Sequence, residues 1–202
     1  MPRRFAVSFD YLCPFARNAN EHVTCALRSG SDWEVTFVPY SLTQGHVAAD
    51  ETPIWERDEP TAASGILALL VGITVRDHAP QHFLDVHEAL FAARHDHGRD
   101  IRDPEVVRAV LDAAGLDGQA LVDQAADRES LDTLRRDHEA AVNDHGVWGV
   151  PTFIGAKRAV FVRILDRPDG DAELAQRRIE QVLDLVDGAP ALHELKQTDL
   201  PV

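Results

Sequence analysis

The stretch Phe9-Asp10-Tyr11-Leu12-Cys13-Pro14-Phe15-Ala16 decides the fold of this chain, because it joins a predicted strand to a predicted helix. Residues 4–9 form a short apolar run with alternation, which predicts the strand. After the stretch, Gly30 is expected to close a helix. Four apolar residues at helical spacing indicate the buried face of that helix: Phe15, Ala19, Val23 and Ala26. The pattern therefore puts Cys13 where a strand ends and a helix begins.

This position predicts a nucleophilic thiol at Cys13. Pro14 falls at the first helical position, where its missing N–H costs nothing. A sulfur at this point faces unpaired backbone N–H groups and the positive end of the helix dipole, and both favour the thiolate. Arg17, one turn further on, is a candidate cation for the thiolate or for a carboxylate, and Tyr11 is a candidate donor to sulfur or substrate. The alternatives are an inert buried cysteine and a surface arginine.

Bulk composition excludes some functions. The chain has 202 residues with 34 acidic and 20 basic side chains, a net charge of −14, which argues against nucleic acids and anionic membranes as partners. The longest apolar run, residues 65–75, is too short to span a bilayer. Cys13 and Cys25 lie roughly 18 Å apart along one helix, too far for a disulfide. With no disulfide framework and no apolar leader segment, we expect a cytoplasmic protein.

The middle of the chain is predicted to be almost entirely helical. Residues 33–40 alternate and predict a second strand, parallel to the first because a helix connects them. From residue 41 to residue 146 helical patterns dominate. Helix starts are predicted near Thr61 and Gln81 and at three capping residues, Asp103, Asp117 and Ser130.

Strand patterns return near the end of the chain. Residues 149–155 and 159–165 are predicted to form an antiparallel hairpin, and Asp171 to open a last helix that ends at Gly188. The expected fold class is α/β, a mixed four-stranded sheet with helices on both faces. Residues 1–40 and 147–202 would form one domain, with 41–146 as an inserted helical subdomain.

The whole chain resembles the thioredoxin fold in its DsbA-like form. The resemblance rests on a cysteine at a strand-to-helix turn, a helical insert, and the run Gly146-Val147-Trp148-Gly149-Val150-Pro151-Thr152-Phe153. It implies that Pro151 is a cis proline and that the Val150 backbone lies opposite the cysteine, where it pairs with thiol substrates. An ordinary turn proline at the start of a strand is the alternative.

Further runs are similar to the actinobacterial mycothiol-dependent nitroreductases, and they include residues 71–77, 88–96 and 164–171. This resemblance implies a thiol-dependent oxidoreductase. It would act on a small electrophilic or disulfide substrate and use mycothiol or glutathione as cosubstrate, with no tightly bound cofactor. It also implies a cytoplasmic location and, in many members, a homodimer.

The chain departs from that family at one position. The usual Cys-Pro-x-Cys motif is here Cys13-Pro14-Phe15-Ala16, so no second thiol within the motif can release a mixed disulfide. An external thiol must then regenerate Cys13. A one-thiol site also resembles the 2-hydroxychromene-2-carboxylate isomerases and kappa-class glutathione transferases, which usually have Ser at the position of Cys13. The alternative functions are therefore an isomerase or transferase without net redox, and a non-catalytic thiol-binding protein.

Other side chains are weaker candidates. Phe15 and Trp148 are expected to wall the cleft, with a place in the core as the alternative. His87 and His95 are possible acid–base groups near the cleft, although capping or solvated roles are the simpler interpretation. The ten histidines have no spacing that completes a ligand set, so no metal site is expected.

Overall fold

The computed structural model describes residues 2–188 and 191–192. Within them lie four strands and eight α-helices. The strands are β1 (Arg3–Phe9), β2 (Trp33–Pro39), β3 (Thr152–Ile154) and β4 (Ala159–Phe161). The helices are α1 (Pro14–Arg28), α2 (Leu42–Gly45), α3 (Ile66–His78), α4 (Phe83–His95), α5 (Pro104–Ala113), α6 (Gly118–Ala125), α7 (Arg128–His145) and α8 (Ala172–Gly188).

The strands form one mixed sheet in the order β2-β1-β3-β4. β1 and β2 are parallel, because α1 carries the chain back across the sheet between them. β3 runs antiparallel to β1, with Val7 opposite Phe153, and β4 runs antiparallel to β3, with Phe153 opposite Val160. The expected mixed four-stranded α/β fold is confirmed.

The hairpin strands are shorter than the sequence pattern predicts. Residues 149–151 do not join the ladder, because the Thr152 hydroxyl donates to the Gly149 carbonyl at 2.7 Å and closes a tight turn. The Thr152 N–H donates to the Ser8 hydroxyl at 2.8 Å, which ties the start of β3 to β1. This anchoring fixes the segment that enters β3 beside the end of β1.

Several helix starts differ from those expected. α3 begins at Ile66 rather than near Thr61, because Pro60–Ala62 forms a separate 3₁₀ turn and Gly65 takes a positive φ of 79° before the helix. α7 begins at Arg128, so Ser130 is not its cap. The Ser130 hydroxyl instead donates to the Gln124 carbonyl at 3.2 Å. The caps expected at Asp103 and Asp117 are confirmed.

The core continues from the sheet into the helices between β2 and β3. In β1 the consecutive side chains of Val7, Ser8 and Phe9 are all fully buried, as expected of a central strand. In α3 every residue from Ile66 to Val75 is buried, so this helix is enclosed on all sides. None of the described helices combines the length and the apolar character needed to cross a bilayer.

Candidate active site

Cys13 is the N-cap of α1, as the sequence predicts. Its backbone is extended, with φ −93° and ψ 118°, and Pro14 occupies the first helical position. The sulfur accepts a hydrogen bond from the Ala16 N–H at 3.4 Å. The side chain is 8% exposed, so the sulfur lies just beneath the surface at the tip of the helix.

The Cys13 sulfur faces the segment that enters β3. Sγ lies 3.3 Å from the Val150 carbonyl oxygen and donates its hydrogen bond there. The peptide bond between Val150 and Pro151 is cis. The Val150 N–H makes no hydrogen bond with any described residue. One backbone donor and one backbone acceptor therefore flank the thiol, and the thiol itself occupies the acceptor.

The expectation of a lowered thiol pKa is wrong in sign. Burial raises the pKa of Cys13 above its ordinary value, and the buried Asp10 adds to the increase. The amides of Ala16 and Phe15 and the charge of Arg163 lower the pKa, but their effect is smaller than that of burial. In the free protein the sulfur is therefore a protonated thiol, in agreement with its donation to the Val150 carbonyl.

Asp10 is a fully buried carboxyl three residues before the cysteine. Its oxygens accept from the Leu12 N–H at 2.9 Å and the Leu42 N–H at 2.7 Å. These bonds lower its pKa, but burial outweighs them and raises the pKa to about 6. Asp10 thus joins the turn before α1 to the start of α2, and its charge opposes ionisation of Cys13.

Tyr11 does not face the sulfur, although the sequence made it a candidate donor there. Its fully buried hydroxyl pairs with His87 Nδ1 at 2.9 Å, and His87 Nε2 lies 3.1 Å from Asn20 Oδ1. Burial lowers the pKa of His87 to about 3, so the ring is neutral, accepts from Tyr11 and donates to Asn20. The hydroxyl is thus engaged inside the protein between α1 and α4.

Arg17 also points away from the sulfur. Its guanidinium bonds both oxygens of Asp96, at 2.5 and 2.6 Å, beyond the end of α4. The cation that acts on Cys13 is Arg163, which the sequence analysis did not select. Strand alternation was the available signal, because residues two apart in a strand share a face and Phe161 precedes Arg163 by two.

An aromatic surface surrounds Arg163. The guanidinium carbon lies 5.3 Å from the centroid of the Phe15 ring and 5.8 Å from that of Phe161. Trp148 packs against Phe161 with ring centroids 4.5 Å apart and ring planes inclined by 39°, and it is 68% exposed. Phe15 and Trp148 therefore border the thiol region, and the Trp148 ring is open to solvent rather than part of the core.

The remaining candidates lie outside the thiol site. His95 donates through Nε2 to the Tyr11 carbonyl at 2.9 Å, and burial lowers its pKa. Cys25 is a free cysteine that lines a groove of about 530 Å³ between α1 and α4, and Cys13 does not line this groove. Among the described residues no group of three or more His, Cys, Asp or Glu side chains is arranged to hold a metal ion.

The chain is similar to proteins of known sequence or structure. It is 29% identical over 199 residues to the uncharacterized protein Rv2286c of Mycobacterium tuberculosis, covering 96% of this chain and 81% of that protein. Its structure matches a 2-hydroxychromene-2-carboxylate isomerase with a TM-score of 0.64 at 16% identity, over 91% of this chain and all of that one. It also matches the cytosolic disulfide reductase DsbM of Pseudomonas aeruginosa, solved with GSH, with a TM-score of 0.60 at 18% identity. This match covers 90% of this chain and 100% of that one.

The structural likenesses, at identities below 20%, establish the fold. The family follows from the sequence, because a family model for the DSBA-like thioredoxin domain matches residues 5–169. That range contains both sides of the site, Cys13 at the tip of α1 and the Val150–Pro151 segment. The chain therefore belongs to the DSBA-like thioredoxin domain family.

Proposed function

We propose that this protein is a thiol-dependent oxidoreductase with Cys13 as its single reactive thiol. The observation that carries the proposal is the contact between Cys13 Sγ and the Val150 carbonyl at 3.3 Å, with the Val150 N–H unpaired beside it. An extended, peptide-like ligand needs such a donor and acceptor to pair with. Its reacting sulfur then lies next to the thiol.

Ligand binding also provides a route to the thiolate. A ligand N–H that bonds the Val150 carbonyl removes the acceptor of the Cys13 proton, and the Ala16 N–H remains to stabilise the anion. The thiolate attacks one sulfur of a disulfide, forms a mixed disulfide and expels the other sulfur as a thiolate. A second thiol then attacks the mixed disulfide, restores Cys13 and carries away the bound half as a new disulfide.

The second thiol must come from outside the motif. The position of a resolving cysteine is occupied by the buried Ala16. Cys25 lies in the last turn of α1, roughly 18 Å along the helix from the Cys13 N-cap. We infer that the resolving thiol is a low-molecular-weight thiol of the mycothiol or glutathione type and that the protein works in the cytoplasm as a homodimer. The likeness to DsbM, solved with GSH, supports this inference.

A second candidate is an isomerase or transferase reaction without net oxidation of the thiol. The lack of a resolving cysteine favours it, since such a reaction needs no disulfide turnover. The two are separated by incubating the protein with mycothiol or glutathione and a nitroaromatic or quinone substrate, while the disulfide of the added thiol is measured. The proposal expects this disulfide to form in proportion to reduced product; an isomerised or thiol-conjugated product without disulfide formation supports the second candidate.

Two variants are the controls. Cys13→Ala must abolish turnover, and Cys25→Ser must leave it unchanged because Cys25 lies outside the thiol site. Activity that survives in Cys13→Ala excludes both candidates and indicates chemistry elsewhere on the protein.

A further inference from the structure

Arg163 is an exposed cation beside the thiol site, and no described residue provides its counter-ion. The chain has 34 acidic and 20 basic side chains, and many of its arginines are paired with carboxylates. Arg163 forms no salt bridge with any carboxylate in the described part of the chain. In so acidic a protein an arginine that stays unpaired next to a reactive cysteine is available to a ligand.

The backbone holds Arg163 against the site. The Val162 N–H donates to the Pro151 carbonyl at 3.1 Å, so the residue that follows it emerges beside the Val150–Pro151 segment. Phe15, two residues after Cys13, and Phe161 on β4 both lie against the guanidinium, at 5.3 and 5.8 Å. Contact with two ring faces orients the planar group, while its N–H donors make no hydrogen bond to any residue that the structure describes.

The chemistry of this arrangement selects an anion. A guanidinium is permanently charged and presents its donors in a fork that matches a carboxylate. The exposed Trp148 ring, which packs against Phe161, extends an apolar surface next to the fork. We propose that Arg163 is a specificity residue that binds a carboxylate on the small thiol or disulfide reacting at Cys13, an inference that rests on the function proposed above.

The test compares three symmetric disulfides of similar size and different charge. They are those of 3-mercaptopropionate, 2-mercaptoethanol and cysteamine, which are anionic, neutral and cationic. Rates of mixed-disulfide formation at Cys13 are measured by intact mass in a Cys25→Ser background at low ionic strength. Wild type and Arg163→Gln are compared as the ratio of the anionic rate to the neutral rate, because a change in the thiol pKa affects both rates equally and cancels.

The expected result is that Arg163→Gln lowers this ratio roughly two- to fivefold, the size of one solvent-exposed ion pair. The cationic disulfide should react relatively faster with the variant. Arg163→Lys, which keeps the charge, should restore most of the ratio, and 1 M salt should reduce the ratio in wild type. Arg158→Gln is the matched control, since it removes an exposed arginine at the far end of the β3–β4 hairpin.

A second arm asks which partner carries the carboxylate. The same mixed disulfide is released with 3-mercaptopropionate, 2-mercaptoethanol or cysteamine. A preference for the anionic reagent during formation of the mixed disulfide shows that Arg163 binds a carboxylate on the disulfide substrate. The same preference during release shows that it binds a carboxylate on the attacking thiol. If all three disulfides react and neither ratio changes in Arg163→Gln, the role of Arg163 is overturned and the thiol chemistry stands. If no disulfide reacts with wild type, the proposed function fails and this inference with it.

Discussion

The Cys13 thiol donates to the Val150 carbonyl at 3.3 Å, so the reactive group and the proposed substrate-pairing group bind each other in the free protein. In this contact the cysteine at the helix N-terminus is a protonated thiol. The Ala16 amide and the helix dipole favour the anion, while burial and Asp10 favour the protonated form and prevail. Binding at Val150 and ionisation of Cys13 are therefore coupled.

The buried Asp10 is the group whose removal should activate Cys13. Its charge raises the pKa of the thiol, so Asp10→Asn should lower that pKa and raise the alkylation rate at neutral pH. The pH dependence of iodoacetamide alkylation in a Cys25→Ser background measures this. Asp32→Asn, an exposed carboxylate beside the first residue of β2, is the charge-matched control and should have no effect. An unchanged or raised Cys13 pKa in Asp10→Asn would contradict the effect of the Asp10 charge on the thiol.

Tyr11 should matter for stability and not for thiol chemistry. Tyr11→Phe leaves the buried His87 Nδ1 without its donor, which should cost about 1–3 kcal/mol in the free energy of unfolding. The alkylation rate of folded Cys13 should stay within twofold of wild type. Urea unfolding and alkylation kinetics on the same samples give both values. A large loss of thiol reactivity at unchanged stability would restore Tyr11 as a site residue.

Trp148 should affect the reaction of Cys13 with its ligands and not the stability of the fold. Because the ring is 68% exposed, Trp148→Ala should change the free energy of unfolding by no more than about 0.5 kcal/mol. It should slow the reaction of Cys13 with aromatic disulfides several-fold relative to aliphatic ones, through the loss of the surface that continues from Phe161. Leu165→Ala removes another exposed apolar side chain, 77% exposed, and is the control that should leave the ratio unchanged.

Two buried histidines should make the protein sensitive to acid. Burial lowers the pKa of His87 to about 3 and that of His138 to about 4, while an unfolded histidine titrates near 6.5. Their stabilising effect is complete above pH 6.5 and is lost as pH falls, by about 1.4 kcal/mol per unit for each ring. Asp10, with its pKa raised to about 6, contributes stability that grows as pH falls from about 6 to about 4, which partly offsets the loss from the histidines.

The variant that isolates this effect is His138→Gln. His138 Nδ1 accepts from the Ser41 N–H at 3.2 Å, and a glutamine oxygen can accept the same bond without titrating. Between pH 6 and pH 4.5 the free energy of unfolding of the variant should fall less steeply than that of wild type, by about 1.4 kcal/mol per unit. Equal slopes in urea titrations would show that folding does not lower the pKa of His138.

Local patterns in the sequence predicted much of the fold. The alternation of β1, the helical spacing after Cys13 and the caps at Asp103 and Asp117 all depend on near neighbours, and the structure has them where expected. Ser130 failed as a cap because its hydroxyl found a carbonyl, that of Gln124, at the end of the preceding helix. A partner across a helix junction leaves no periodic signal.

The site was predicted only in part, for the same physical reason. Cys13 and the Val150 segment follow from local motifs, but the partners of long side chains depend on the packing of distant elements. Tyr11 is engaged by His87 on α4, and Arg17 by Asp96 beyond the end of that helix. The sign of the Cys13 pKa shift depends on burial, which the helix position alone does not reveal.

The most direct test of the central claim is the fate of Cys13 after one equivalent of the disulfide of a small thiol. In a Cys25→Ser background, intact mass should show one added thiol, and peptide mapping should place it on Cys13. A second equivalent of reduced thiol should remove the adduct and restore the original mass. An adduct that persists, or none on Cys13, would contradict a turning-over thiol opposite Val150 and Pro151.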